Sequence, residues 1–199
     1  MNTIIYTTMI KGFAKTFKLD KALEIYEIMK NDEKNLPNNV TYNSLIDCCV
    51  RCNNIYEASK IFLEMKNSPC NPDLITYSTL IKGYCKEKNI ERALVMLDEM
   101  ENSGIQADEV LYNSLLDGCC KSNEIEMALK VYQNMRTLRI KPSNVTFSIL
   151  VKIYGKQRNL NKALSVLEEM KREGIRPGLI VYTCLIQTCI KSRQLKTAQ

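Results

Sequence analysis

Tyr6, Tyr42, Tyr77, Tyr112, Phe147 and Tyr182 recur at steps of 36, 35, 35, 35 and 35 residues. Ala22, Ala58, Ala93, Ala128, Ala163 and Ala198 keep the same steps, and so do Met29, Met65, Met100, Met135 and Met170. Three residue types in one phase define a repeat. A chain of this kind folds as a row of similar units, each burying its apolar face against its neighbours. The units run 3–38, 39–73, 74–108, 109–143 and 144–178, followed by a partial unit at 179–199.

Within a unit, the first segment (NVTYNSLIDCCVR in the second) places apolar residues at positions 4, 7, 8 and 11. At about 100° per residue these share one arc of a helix. A second segment (NIYEASKIFLEMK) does the same at positions 17, 20, 24 and 27. Short polar turns such as CNN, EKN and SNE separate the two. Gly104 and Gly174 mark second-helix ends, with Pro72, Pro142 and Pro177 close to the ends of their units. The expected fold is all-α, an α-solenoid of helix-turn-helix repeats. The Tyr, Ala and Met columns are expected to pack between helices, with Ala at the closest approach.

Composition narrows the chemistry. The chain of 199 residues has no His, which removes Ser–His and Cys–His nucleophile pairs, a His general base and a Cys₂His₂ zinc site. Nine cysteines cannot all pair internally, and most sit at first-helix packing positions, so they read as reduced thiols. The lone CxxC, Cys49 to Cys52, has no second pair to complete a metal site. No apolar run approaches the roughly 20 residues that cross a bilayer. No catalytic residue, cofactor, metal or small-molecule substrate is implied, and no membrane association.

Positions 2, 5, 9 and 13 fall opposite the apolar arc of the first helix, on a face that stacking would make continuous. Position 13 is basic in every unit: Lys15, Arg51, Lys86, Lys121, Lys156 and Lys191. Position 9 adds Lys11, Lys82 and Lys152 against Asp47 and Asp117. The two columns hold nine basic and two acidic residues, a net +7, whereas the whole chain is +6. The charge is therefore one stripe, which points to a polyanion. Position 2 is always β-branched: Ile4, Val40, Ile75, Val110, Val145 and Ile180. On spacing alone this column fits two readings equally, walls between which planar groups insert or packing between repeats. Position 5 keeps a short hydrogen-bonding side chain but changes its identity: Thr7, Asn43, Ser78, Asn113, Ser148 and Thr183. The last place of each full unit also switches, through Asn38, Asp73, Asp108, Ser143 and Gly178. Columns that vary within one chemical class behave as a reading surface.

These units resemble the pentatricopeptide repeat family in its 35-residue P-type class, over essentially all of the chain. The resemblance rests on NVTYNSLIDCCVRCNNIYEASKIFLEMK and LITYSTLIKGYCKEKNIERALVMLDEMENSGI. It implies a right-handed superhelix that binds single-stranded RNA, one nucleotide per repeat, in a mitochondrion or plastid, for RNA processing, stability, splicing or translation. The position-5 and last-place residues would face the base edge, position 2 would sandwich bases, and the position-13 cations would lie by phosphates. Thr7 with Asn38 then reads A, Asn43 with Asp73 U, Ser78 with Asp108 G, and Asn113 with Ser143 C. Ser148 with Gly178, and Thr183, read purines. The implied site is 5′-A-U-G-C-R-R-3′.

Three further expectations complete the reading. Asp47 and Asp117, four places after the two Asn residues of position 5, are expected to orient those amides. The first unit carries one extra residue within NDEKNLPN, and Pro69 stands where other units have Gly. Because the last unit stops inside its second helix, the chain is expected to be a fragment of a longer array, which would account for the missing transit peptide. The competing function is a helical scaffold for protein partners.

Overall fold

The computed structural model describes residues 2–191; within it the side chain of Lys191 is outside the description, as are the end of the last unit and Ala198. Among the described residues there are eleven helices and no strand. They are α1 (Thr3–Lys15), α2 (Leu19–Lys30), α3 (Asn39–Arg51), α4 (Ile55–Lys66), α5 (Leu74–Lys86), α6 (Ile90–Asn102), α7 (Glu109–Ser122), α8 (Ile125–Thr137), α9 (Asn144–Lys156), α10 (Leu160–Arg172) and α11 (Leu179–Lys191). Every odd-numbered helix starts a repeat. None is long and apolar enough to cross a membrane.

The chain divides into two compact units, one up to Ala107 and one from Asp108. In the first, α1, α3 and α5 stack in order, each packed against its own second helix α2, α4 or α6. In the second, α9 lies between α7 and α11, with α8 and α10 packed on α7 and α9. This is an all-α helical-repeat solenoid.

The packing columns behave as their periodicity requires. Ala22, Ala58, Ala93, Ala128 and Ala163 are fully buried, as are Met29, Met65, Met100, Met135 and Met170. An alanine at each crossing lets backbones approach, and the flexible Met fills the space beside it. Tyr77, Tyr112 and Phe147 are buried, whereas Tyr182 in the last unit is exposed. Glycine enforces close approach at two places: a Cβ on Gly83 would meet Ile55 Cδ1 at 2.6 Å and Val50 Cγ2 at 2.8 Å, and one on Gly155 would meet Thr188 Oγ1 at 2.5 Å.

Turns repeat as faithfully as helices. Phe17, Asn53, Lys88, Asn123 and Arg158 all occupy position 15 with positive φ, reversing the chain between paired helices. Asn54, Asn89 and Asn159 then cap the second helix, each accepting from a backbone N–H three residues on. Second helices end at Gly104, Arg139 and Gly174, also at positive φ, where Ile105, Ile140 and Ile175 N–H donate back to the Met100, Met135 and Met170 carbonyls. Pro69 cannot adopt that geometry. There Ser68 substitutes, its N–H and hydroxyl donating to the Met65 carbonyl at 3.1 Å and 2.7 Å.

Candidate RNA interface

Four of the five last-place residues do one structural job. Asn38, Asp73, Asp108 and Ser143 are the N-caps of α3, α5, α7 and α9, each in extended backbone with its side chain accepting from the first turn. Asn, Asp and Ser are nearly equivalent as caps. Their interchange in this column is thus compatible with capping alone, so the switching by itself does not mark a reading site. The extra residue of the first unit is absorbed before the cap, where Asn35 Nδ2 donates to Asp32 at 2.9 Å, and Asn38 caps as Asp73 does.

Capping brings the last-place side chain beside position 5 of its own repeat. In the second repeat, Asn43 Nδ2 donates to Asp73 Oδ1 at 3.1 Å and Oδ2 at 3.3 Å. The Thr76 hydroxyl lies 2.6 Å from Asn43 Oδ1 and 2.9 Å from Asp73 Oδ1. Burial pushes the Asp73 carboxyl up, but hydrogen bonds from the Thr76 backbone and hydroxyl and from the Asn43 amide outweigh it and hold it below its ordinary value. Asn43 and Asp73 are thus a joined donor–acceptor pair.

Position 3 of the following repeat supplies the clamp, and the sequence reading missed it. Thr41 lies 2.9 Å from the Thr7 hydroxyl and 3.0 Å from Asn38 Oδ1. In the other unit, the Thr146 hydroxyl donates to Asn113 Oδ1 at 2.7 Å. All three threonines are fully buried. The available signal was a capping box, since each is the third residue of its helix and its hydroxyl oxygen accepts from the cap backbone N–H. Asn113 and Ser143 meet through an unforeseen residue: Asn113 Nδ2 donates to Glu109 Oε1 at 2.8 Å, and the Ser143 hydroxyl donates to the same oxygen.

Other position-5 hydroxyls turn to their own helix. Ser148 donates to the Val145 carbonyl at 2.7 Å and Thr183 to that of Leu179 at 2.9 Å. The structure does not join Ser148 to Gly178. Gly178 instead donates its N–H to Asn144 Oδ1 at 2.8 Å.

Position 2 does not pack between repeats. Ile4, Val40, Ile75, Val110, Val145 and Ile180 are all exposed, the least of them Val40 at 49%. Packing between repeats would have covered them. In the first unit Val40 and Ile75 flank a groove of about 670 Å³, lined also by Asn43, Asp73, Lys11, Lys15, Asp47 and Arg51.

The basic column is less uniform than its register suggested. Arg51 bridges Asp47 at 2.6 Å and Lys121 bridges Asp117 at 2.7 Å, each one turn apart on its own helix. The expectation that these aspartates orient the position-5 amides is corrected: the amides turn to Asp73 and Glu109, which are nearer their NH₂ groups, while the aspartates face the cation one turn on. Lys86 reaches the Val50 carbonyl at 3.5 Å, and Lys156 that of Cys120, at the C-terminal end of the preceding repeat's first helix. Lys15 closes α1 with no carboxylate bridge in the described structure. Lys191 ends α11, its side chain outside the description.

All nine cysteines are free thiols. Burial pushes Cys48 and Cys49 up to about 12 and Cys119 up to about 11, so these thiols stay protonated and unreactive at neutral pH.

The PPR repeat family matches residues 1–49, 37–86, 75–121, 107–154 and 150–191. The chain belongs to the PPR repeat family. A pentatricopeptide repeat-containing protein of Arabidopsis thaliana is 30% identical over 63 residues, which is 32% of this chain and 10% of that one. The crystal structure of the pentatricopeptide repeat protein PPR10 from maize is 25% identical, with a TM-score of 0.76 over 94% of this chain and 26% of that one. PPR10 in complex with an 18-nt psaJ RNA element is also 25% identical, with a TM-score of 0.80 over 99% of this chain and 29% of that one. At 18% identity, the PPR domain of Arabidopsis thaliana protein-only RNase P 1, in complex with tRNA, shares the fold with a TM-score of 0.74 over 93% of this chain and 97% of that domain. The chain spans about a quarter of PPR10 and a tenth of the sequence relative.

Proposed function

We propose that this chain binds single-stranded RNA selectively, one nucleotide per repeat, and acts by occupancy without chemistry of its own. The observation that carries the reading is the groove between Val40 and Ile75, with the joined Asn43–Asp73 pair and cations along it. Exposed β-branched walls suit a planar base. The pair offers one donor and one acceptor group to its edge, and the cations suit phosphates. Membership of the PPR family and the likeness to RNA-bound PPR10 support the same conclusion.

The order of the repeats then reads 5′-A-U-G-C-R-R-3′, with the base assignments given by the family pairing. By the same resemblance the protein works in a mitochondrion or plastid, in RNA processing, stability, splicing or translation.

Fluorescence anisotropy with a single-stranded RNA carrying AUGCAA, against the same bases scrambled, tests this at two salt concentrations. Selective binding is expected, with log K falling against log salt at roughly −0.7 per phosphate contact. Equal binding to both, or binding of neither by folded protein, would contradict it. The second outcome would favour a protein-binding scaffold.

A further inference from the structure

We infer that Glu109 is a third base-reading residue of the fourth repeat and that this repeat prefers uracil over cytosine. The inference rests on the base-reading function proposed above and changes one of its assignments.

In the second repeat the Asn43 amide is held with its oxygen on Thr76 and its NH₂ on the Asp73 carboxylate. The fourth repeat reproduces this arrangement with different residues. The Asn113 amide has its oxygen on the Thr146 hydroxyl at 2.7 Å and its NH₂ on a carboxylate oxygen at 2.8 Å. That carboxylate is Glu109, the first residue of α7, one helical turn before Asn113. Ser143 stands at the last place but brings no carboxylate. Its single hydroxyl proton goes to Glu109, and the same oxygen accepts from the Val145 N–H at 3.2 Å. With its proton committed to Glu109 and its oxygen accepting from the Val145 and Thr146 N–H groups, Ser143 has no proton or lone pair to offer a base.

The set that faces a base is consequently an NH₂ from Asn113 beside the carboxylate of Glu109. This is the pattern of Asn43 beside Asp73. Reading Asn113 and Ser143 alone would assign a free hydroxyl able to donate, which suits cytosine N3. With Glu109 included, a lone pair meets the base at that point instead. Uracil N3–H matches it and the cytosine N3 lone pair opposes it. The flanking walls, Val110 and Val145, are exposed at 59% and 52%. Glu109 is itself half-buried, at the start of the helix that carries one wall.

The test measures binding of the 199-residue chain to RNAs that differ only at the fourth nucleotide, U or C, and in parallel only at the second. Wild type is expected to favour U at the fourth position by roughly tenfold, the order of one well-read base contact. Glu109→Gln, which keeps size but supplies a donor, is expected to remove or invert that preference and leave the second position unchanged. Ser143→Asp in the Glu109→Gln background is expected to restore it, because a carboxylate returns at the last place. Thermal melting checks that each variant folds. A preference for C in wild type, or a U preference that survives Glu109→Gln, overturns the inference while selectivity at the second position keeps the wider reading intact. Loss of selectivity at both positions in wild type overturns both.

Discussion

A threonine one repeat away decides how an asparagine amide is turned. Thr76 fixes the Asn43 oxygen, so the NH₂ points to Asp73. Replacing Thr76 by Val removes that hydroxyl at nearly constant volume and leaves a part-buried amide oxygen unsatisfied. The expected cost is about 1–2 kcal/mol in stability, read by chemical denaturation, with weakened U preference at the second nucleotide. The variant also has a pH signature. The Asp73 carboxyl is depressed in the folded state, so it contributes stability that is present above its unfolded value and lost as pH falls through the folded one. Without the Thr76 hydroxyl the carboxyl rises, and the stability difference from wild type should shrink in acid. Position 3 escaped the sequence reading because a Thr beside a cap already has a sufficient local reason to be there. Glu109 escaped because its partners are four and 34 residues away, and only the folded turn brings them to one oxygen.

At the scale of the helix, the basic stripe alternates. Three first helices with Ser or Thr at position 5, α1, α5 and α9, pair Lys11 with Lys15, Lys82 with Lys86, and Lys152 with Lys156, whereas α11, with Thr183, has Gln187 at position 9. The helices with Asn, α3 and α7, set an aspartate against the cation and bridge it. The columns were visible in sequence; the bridges were not, because a side-chain direction is needed to tell a phosphate contact from an ion pair. An exposed pair of this kind contributes at most about 1 kcal/mol to stability, so breaking it should be felt mainly in binding. Asp47→Asn releases Arg51 and removes a negative charge from the groove. Tighter RNA binding at low salt is expected, with a salt slope steeper by roughly 0.7, one phosphate contact. An unchanged slope would mean that Arg51 does not meet RNA. The turns show the same mixture of legible and hidden features. Gly104 and Gly174 announced helix ends, but Arg139 holds the same left-handed geometry without glycine, and its exit is recognisable only by analogy with its neighbours.

Across the whole molecule, the repeat made the fold readable because each unit meets the same environment as the last. A buried Ala or Met in one repeat predicts its counterparts. The proposed reading surface is less legible for a complementary reason. The exposure of position 2 was not readable from its spacing, and the last-place column caps helices as well as carrying the base contact proposed above. That double use shapes the decisive experiment. Removing the side chain of Asp73 would cost about 1 kcal/mol as a lost cap and blur any loss of recognition, whereas Asp73→Asn keeps a capping oxygen and exchanges the other carboxylate oxygen for an NH₂. Binding of wild type and Asp73→Asn should therefore be measured on four RNAs that differ only at the second nucleotide. The account predicts that wild type favours U and that the variant, now able to donate as well as accept, shifts to C. The same ranking of nucleotides in both proteins would contradict it.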